Sequence, residues 1–276
     1  MSNSKGFCIL AQNNAQTDYV RQAYALASSI HRFNDNQNVC LITNDTVPDE
    51  YVNVFDQIIP IPWTDQADGK DWKIENRWKV YHASPYDHTI AMDADMLVLQ
   101  NIDHWWNYLT NRDLFFTTNI KTYRGEPALG RDYRKVFDAN DLPDLYSAFY
   151  YFKKGNVAKE FFTLLELVMI NWEYFYGRYA PIDYQKWCSV DVSCAIAAKL
   201  LGITTDITDR YSPISLMHMK PRLQYWQHIP DRWTKILDCH MNESCDLMIG
   251  NFSQTGVLHY VEDEFLTDKI LSRILL

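Results

Sequence analysis

The sequence predicts an α/β fold with a largely parallel sheet, and two features of the chain carry this prediction. The first is an alternation of apolar strands and amphipathic helices that begins close to the N-terminus. The second is an apolar strand within residues 89–99 that contains two aspartates, Asp93 and Asp95. Because open α/β sheets bind ligands at the carboxyl ends of their strands, this pair marks a candidate site.

Strand and helix signals alternate through the first third of the chain. Residues 6–13 form an apolar run typical of a buried strand, and Thr17 or Asp18 then provides an N-cap. The helix that follows is expected to continue to about residue 33, since its apolar residues recur at helical spacing. This order is typical of the start of a parallel sheet. Second and third strands are expected at residues 39–43 and 54–61.

The alternation of strand and helix signals continues to about residue 211 and is not recognisable beyond it. Residues 71–84 have helical character and end before Pro85, just upstream of the strand with the aspartates. After about residue 211 the pattern becomes irregular. Further strands are expected at residues 114–119, 147–152 and 256–260, and further helices at 157–176, at 190–201 and from about residue 267.

Length, composition and charge limit the organisation of the protein and its partners. With 276 residues, 47% of them hydrophobic, the chain can bury a substantial core. We expect a main unit over residues 1–210 and a C-terminal segment, 211–276, that completes the site within the same domain. The formal net charge is −9 and the basic residues are scattered, which disfavours nucleic acid as the main partner.

Several signals bear on the cellular compartment. The six cysteines show no C-x-x-C spacing, so we expect reduced thiols rather than a disulfide framework or a zinc site. The N-terminus lacks the charged and apolar regions of a signal peptide, and no apolar stretch is long enough to span a bilayer. A soluble, cytoplasmic protein without a membrane span is therefore expected.

Asp93 and Asp95 are the most informative residues of the chain. Residues i and i+2 of an extended chain project from the same face, so the two carboxylates are expected to converge. Buried carboxylates are costly unless compensated, and a hard cation such as Mn²⁺ or Mg²⁺ would compensate them while leaving positions for phosphate oxygens. The alternative is that the pair caps a turn or pairs with nearby Arg and Lys side chains.

Three segments together resemble a known family of enzymes. Residues 90–103 match its strand, Asp-x-Asp motif and following loop, and residues 147–153 fall where it carries an acceptor-side strand. Residues 256–260 resemble its late strand with a metal-binding histidine. On these segments the chain resembles the GT-A-fold, nucleotide-sugar-dependent glycosyltransferases, closest to the glycogenin-like family 8. The resemblance implies a Rossmann-like, mixed and mostly parallel sheet flanked by helices, with an irregular C-terminal acceptor-side segment.

The resemblance also implies a metal site. Asp93, Asp95 and His259 would hold Mn²⁺ or Mg²⁺ as the cofactor, with Asp93 shared between the metal and the ribose of the donor. Family members follow this histidine with Gly and then Lys-Pro-Trp, whereas here Tyr-Val-Glu-Asp-Glu follows. A Lys-Pro pair instead occurs earlier, directly after His218-Met219. His218 therefore stays open as the alternative ligand.

A further set of residues is implied around the donor. In the family a basic residue before the Asp-x-Asp strand reaches the donor, so Arg77 and Lys79 are candidates, although each could equally lie on a solvated helical face. Tyr19 could stack on the base or pack in the core. The candidate donor-binding residues are Ala11, Gln12, Asn13, Tyr19, Arg77, Lys79, Asp93 and Lys220.

Asp191 is the candidate catalytic residue. It resembles the family's acceptor-side carboxylate, but its place at the start of a predicted helix also suits an N-cap or a first-turn acid. It could act as a general base in an inverting transfer or stabilise an oxocarbenium-like centre in a retaining one. The resemblance favours retention.

The expected function is metal-dependent, hexosyltransferase-like transfer of a sugar from a nucleoside diphosphate sugar to a hydroxyl acceptor. That acceptor would be a glycan, a protein or modified DNA, and Trp226 and Trp233 are expected to line its groove. Two alternatives stay open. The first is a nucleotidyltransferase, which would normally carry a Gly-rich phosphate loop after the first strand, and residues 12–15 lack such a loop. The second is a non-catalytic carbohydrate-binding protein with the same fold.

Overall fold

The structure is a computed structural model that describes residues 4–71, 73–128, 134–221 and 229–275. Within these ranges the chain forms the predicted α/β fold, with helices flanking a mostly parallel sheet. All six cysteines lie in the described part and are free thiols. None of the described helices combines the length and the apolar character needed to cross a membrane.

Strands and helices follow one another along the whole described chain. The strands are β1 (Lys5–Leu10), β2 (Val39–Ile42), β3 (Gln57–Ile59), β4 (His88–Asp93), β5 (Met96–Val98), β6 (Leu114–Thr117), β7 (Asn119–Lys121), β8 (Tyr146–Lys153), β9 (Ser215–His218), β10 (Cys239–Met241), β11 (Leu247–Ile249), β12 (Phe252–Gln254) and β13 (Val257–His259). The helices are α1 (Tyr19–Phe33), α2 (Asp49–Val52), α3 (Val80–Ala83), α4 (His104–Leu109), α5 (Lys135–Ala139), α6 (Asn156–Ile170), α7 (Trp172–Tyr179), α8 (Val190–Leu201) and α9 (Asp268–Leu275). Short 3₁₀ helices occur at Arg77–Lys79, Trp233–Lys235 and Asp263–Phe265.

Six strands form the central sheet, in the order β3, β2, β1, β4, β8, β6. The first four are mutually parallel, whereas β8 is antiparallel to both of its neighbours. β1 is buried along its length apart from Lys5, because strands covered by helices on both faces are apolar throughout. The register pairs Leu10 with Asp93, so β1 and β4 end at the same edge of the sheet.

A second sheet joins the C-terminal segment to this edge. Its strand order is β5, β13, β9, β7, and β13 pairs antiparallel with β5 and parallel with β9. The register places His259 opposite Met96 on one side and opposite His218 on the other. His259 therefore lies beside the strand that follows Asp95, and His218 lies one strand further along the sheet.

Residues from both sides of position 210 share one hydrophobic core. Ala23, Leu26 and Ile30 on α1 are fully buried, and the same cluster contains Ile270 and Ile274 of α9. The C-terminal helix therefore packs with the first helix of the chain rather than forming a core of its own.

Two of the predicted elements are divided in the structure. The single strand expected across residues 89–99 is two strands, because a turn at Ala94 and Asp95 separates β4 from β5 and the two lie in different sheets. The long helix expected at residues 157–176 breaks at Asn171, where φ is −114° and ψ is 34°. Apolar periodicity continues across both breaks, so the pattern alone did not reveal them.

Two other predictions about secondary structure are wrong in extent. Within residues 71–84 only the 3₁₀ turn at Arg77–Lys79 and the short α3 are helical among the described residues. The C-terminal segment is more regular than expected, because β9 to β13 lie within its described residues. These strands have three or four residues each, which is too short for an alternating pattern to be recognised.

Candidate metal and active site

The backbone brings Asp93, Asp95 and His259 to one point at the carboxyl edge of the central sheet. Asp93 is the last residue of β4, Asp95 lies in the turn before β5, and His259 ends β13. The N–H of Tyr260 donates to the Asp95 carbonyl at 3.1 Å, which ties the end of β13 to the turn. The aspartates therefore converge through a turn rather than through the alternation of one extended strand.

Ligand atoms of Asp93, Asp95 and His259 all lie within 4.8 Å of one another. In the described part of the chain this is the one group of His, Cys, Asp or Glu side chains with such spacing. His259 Nε2 lies 3.0 Å from Asp95 Oδ2, and Arg77 Nη1 donates to Asp93 Oδ1. The side chains are mostly buried, with exposed fractions of 18%, 17% and 9% for Asp93, Asp95 and His259. Asp93 therefore has a guanidinium as its partner, and Asp95 has an imidazole.

Burial and mutual interaction shift the pKa of all three groups. Burial raises the pKa of Asp93 above its ordinary value, although the Arg77 guanidinium opposes this. Burial also opposes ionisation of Asp95, but His259 and Arg77 hold its pKa below the ordinary value. Burial disfavours the imidazolium of His259, yet the neighbouring Asp95 carboxylate raises the pKa of the ring. The cluster is thus arranged around negative charge that needs a positive partner.

His218 lies behind His259 rather than inside the cluster. The two rings are stacked, with centroids 4.4 Å apart and planes 11° apart, because β9 and β13 pair the two residues directly. The imidazole of His218 is buried, and burial together with His259 lowers its pKa well below the ordinary value. The stacking fixes the plane of the His259 ring. In metal sites the other ring nitrogen usually orients the ligand through a hydrogen bond, whereas Nδ1 of His259 is buried without a partner here.

The residues present fit a divalent cation. Two carboxylates and one imidazole form a donor set that Mn²⁺ and Mg²⁺ accept, and three protein ligands leave positions open for a substrate. His259 Nδ1 is buried without a hydrogen-bond partner, so the Nε2 facing Asp95 is the nitrogen available within the cluster. His218 does not belong to the group of converging ligand atoms.

The two basic candidates of the 3₁₀ turn have different surroundings. Arg77 points into the cluster, as its contact with Asp93 shows. Lys79 is 2% exposed, and its ammonium donates to the carbonyl of Thr64. Burial lowers the pKa of Lys79. Lys79 is therefore bound to the backbone away from the cluster, whereas Arg77 contacts the carboxylate of Asp93.

The residues after β1 are held by hydrogen bonds within the protein. The amide of Gln12 donates to Asp65 at 2.7 Å and accepts from Asn76 at 2.8 Å. The side chain of Asn13 accepts from the N–H of Val20 at 3.0 Å, and the N–H of Ala11 donates to the Ile42 carbonyl at 3.0 Å. These contacts fix the loop at the carboxyl end of β1, next to β4.

Tyr19 is the first residue of α1 and is half-buried beside the cluster. Burial raises the pKa of its phenol, and the carboxylates of Asp95 and Asp93 raise it further, so the neutral hydroxyl faces the acidic pair. Tyr19 also packs against the hydrophobic core. Both of the roles considered for it from the sequence are compatible with this position.

Asp191 lies in the first turn of α8, but it does not cap the helix, because Ser189 is the N-cap and accepts from the N–H of Val192. One oxygen of Asp191 accepts from the N–H and the hydroxyl of Ser147, at 2.8 and 2.6 Å. The other accepts from Arg134 Nη1 at 2.5 Å. Burial opposes ionisation, yet Arg134 and Ser147 hold the pKa of Asp191 below its ordinary value.

Arg134 is a buried ion-pair centre that the sequence did not reveal. Its guanidinium lies between the rings of Phe137 and Tyr146, 3.9 and 4.0 Å from their centroids. It donates to Asp144 through Nε and Nη2, at 2.8 and 2.5 Å, as well as to Asp191. The side chain is 2% exposed. A lone Arg before a short helix carries no recognisable sequence signal, so only the tertiary structure identifies it.

A cavity of about 420 Å³ lies beside Asp191. Lys220 lines it, and its positive charge is one of the causes of the low pKa of Asp191. Tyr184 and Trp187 also line the cavity, and 62% of Trp187 is exposed. Of the two tryptophans expected in an acceptor groove, Trp233 is instead buried and donates to the Tyr260 carbonyl at 3.0 Å. Trp226 lies outside the described residues.

Comparison with protein-family models and with curated proteins finds no match. Among solved structures, the chain is similar to the WbbM bifunctional glycosyltransferase in its apo form, with a TM-score of 0.52 and 14% sequence identity. This similarity covers 99% of the present chain and 49% of WbbM. It shows a shared fold, which agrees with the glycosyltransferase fold expected from the sequence.

Two further solved structures are more distant. GlyE, a glycosyltransferase from Streptococcus pneumoniae TIGR4, has a TM-score of 0.45 at 13% identity, over 75% of this chain and 46% of GlyE. Mouse xyloside xylosyltransferase 1 has a TM-score of 0.46 at 8% identity, over 74% of this chain and 84% of that one. The chain spans about half the length of WbbM and of GlyE.

Replacing Arg134 with Met is expected to lower the free energy of unfolding by about 3 kcal/mol, because it removes the buried guanidinium that pairs with both Asp144 and Asp191. Urea denaturation followed by tryptophan fluorescence measures this loss. Arg232→Met is the matched control, since it removes an exposed ion pair and should change stability by less than about 0.5 kcal/mol. Equal losses in the two variants would contradict a special role for Arg134.

The low pKa of Asp191 predicts an acid-dependent contribution to stability. Because its pKa is lower in the folded than in the unfolded protein, the contribution is complete at neutral pH and is lost as the pH falls below about 4, through the folded-state pKa. The difference in unfolding free energy between wild type and Asp191→Asn should therefore be constant near neutral pH and shrink in acid. Urea denaturation at a series of pH values measures it, and a difference that grows in acid would refute the prediction.

Proposed function

We propose that this protein is a GT-A-type, metal-dependent glycosyltransferase that moves a sugar from a nucleoside diphosphate sugar to a hydroxyl acceptor. The observation that carries the proposal is the convergence of Asp93, Asp95 and His259 at the carboxyl edge of a sheet whose fold is shared with a glycosyltransferase. The sequence resemblance to the glycogenin-like family 8 supports the same assignment. The proposed cofactor is Mn²⁺ or Mg²⁺.

The proposed task of the cluster is to hold positive charge beside a diphosphate. A bound divalent cation would supply Lewis acidity to the diphosphate as it leaves the sugar. Asp93 and Asp95 would provide its carboxylate ligands, and His259 would present Nε2 from a ring whose plane is fixed by the stacking on His218. Both aspartates face the edge where open α/β sheets bind nucleotides.

Arg77 is the proposed phosphate partner among the basic residues. Its guanidinium lies within the cluster and has Asp93 as its partner. A planar guanidinium suits two phosphate oxygens, and its charge does not depend on pH in the physiological range. The loop formed by Ala11, Gln12 and Asn13, together with Tyr19, is the proposed place for the base and ribose.

Asp191 is the proposed catalytic carboxylate, and its surroundings favour a fixed anion over a general base. A general base works best when its pKa lies near the working pH, whereas the pKa of Asp191 is lowered. Its two oxygens accept three hydrogen bonds from Ser147 and Arg134. A carboxylate held in this way would stabilise an oxocarbenium-like sugar, which supports the retaining course.

The cavity beside Asp191 is the proposed position of the acceptor. The rings of Tyr184 and Trp187 offer apolar faces of the kind on which sugar rings pack. Lys220 would add a positive charge at the same cavity. A glycan, or a hydroxyl group of a protein, is the proposed acceptor class.

Replacing Asp95 with Asn is expected to reduce metal-dependent turnover of the donor by about 100-fold or more, because it removes one charged ligand of the cation. The measurement is release of nucleoside diphosphate from a panel of nucleotide sugars in the presence of Mn²⁺, alongside Mn²⁺ binding by calorimetry. Asp68→Asn is the control, since Asp68 is exposed and outside the cluster. An Asp95→Asn protein with wild-type turnover and Mn²⁺ affinity would remove the basis of the proposal.

A further inference from the structure

A second cavity lies along the strands that carry the two histidines and extends from their first residues to Met217. It has a volume of about 220 Å³ and is bounded by Ser215, the first residue of β9, and by Gly256, which directly precedes β13. His218 and His259 end these same two strands. None of Asp93, Asp95 and His259 lines this cavity, so it is distinct from the metal cluster.

Basic side chains line this cavity without acidic counterparts. Lys121 comes from the end of β7, Arg124 from the turn that follows, and His104 from the start of α4. No Asp or Glu is among the described residues that line it, and Glu126 of the same turn is not one of them. Neither Lys121 nor Arg124 forms an ion pair within the described chain. In a protein with a net charge of −9, this is a local concentration of unneutralised positive charge.

Arg124 is held in place by aromatic rings rather than by a carboxylate. Its guanidinium packs 5.5 Å from the ring centroid of Tyr123 and 5.6 Å from that of Phe252, and Phe252 also lines the cavity. Nε donates to the Tyr123 hydroxyl at 3.3 Å. This arrangement orients the side chain and leaves Nη1 and Nη2 without a hydrogen-bond acceptor among the described residues. Such a guanidinium is preorganised for an anion.

Neutral hydrogen-bond donors complete the lining. Ser215, Ser253 and Thr255 carry hydroxyl groups, and Gln100 carries an amide. Gly256 has a φ of +80°, which lets the chain turn directly from Thr255 into β13 beside Gln100. The cavity is smaller than the range of about 300–1,000 Å³ that is usual for drug-sized ligands, so it suits a compact group.

We propose that this cavity is a binding site for a phosphate group, either free phosphate or a phosphate carried by a small sugar. Lys121 and Arg124 supply the charge, and the surrounding hydroxyl and amide groups supply neutral hydrogen bonds to the remaining oxygens. The site does not depend on the metal cluster, so it stands whether or not the protein transfers sugars.

The test is calorimetric titration of the full chain with inorganic phosphate, and separately with glucose 6-phosphate and with glucose, in buffer free of divalent cations. Wild type should bind phosphate saturably, and the Lys121→Glu, Arg124→Glu double variant should bind it about tenfold more weakly or worse. The Arg210→Glu, Lys235→Glu double variant is the matched control, because it changes the net charge equally at exposed positions outside the cavity. Circular dichroism and thermal unfolding establish that all variants are folded.

The titrations can support the phosphate site or contradict it. Retention of phosphate binding in Asp95→Asn, with loss in the Lys121, Arg124 double variant, supports it independently of glycosyl transfer. Tighter binding of glucose 6-phosphate than of inorganic phosphate identifies a phosphorylated sugar as the source, and equal binding identifies free phosphate. Absence of saturable binding in wild type, equal weakening in both double variants, or binding of unphosphorylated glucose with the same affinity would overturn it.

Discussion

The constraint on which the candidate site depends is the placement of two carboxylates in a mostly buried corner of the central sheet. Asp93 and Asp95 cannot both be charged there without positive charge nearby. The protein supplies it from two directions, with Arg77 against Asp93 and His259 against Asp95. Arg77 precedes the strand in sequence, whereas His259 arrives 164 positions after Asp95 through a different sheet. The site therefore exists only when the whole chain is folded.

The second sheet explains why the site requires the whole folded chain. β5 begins directly after the turn at Ala94 and Asp95. β13 pairs with β5, and β9 pairs with the other side of β13. Hydrogen bonds of the backbone thus set where His259 lies, and the stacked ring of His218 sets how it is oriented. For Asp191, too, position and chemical state have different sources. α8 sets where the residue lies, and hydrogen bonds from Arg134 and Ser147 favour its ionised form. In both cases a mostly buried carboxylate is held by partners distant in sequence.

The sequence allowed the parts of this account that depend on local pattern to be predicted. The α/β class, the first helix and α8 with its bounds of Val190–Leu201 follow from apolar periodicity and capping residues, and Asp18 is the cap of the two residues considered for the first helix. The convergence of Asp93, Asp95 and His259 was expected from the resemblance, and the geometry brings them together. The structural surroundings of Lys79 and the centre formed by Arg134 were not foreseen, because burial and ion pairing across distant segments leave no periodic signal. The breaks at Asn171 and at the turn of Ala94 and Asp95 were not predicted either, because apolar residues continue on both sides of each break.

The most direct test of the central claim is anomalous X-ray diffraction from crystals grown with Mn²⁺ and a nucleoside diphosphate. An anomalous peak is expected between the carboxylates of Asp93 and Asp95 and the imidazole of His259, with the diphosphate on the open side. Crystals containing the nucleotide that show no such peak, with Arg77 still on Asp93 and His259 still on Asp95, would contradict it.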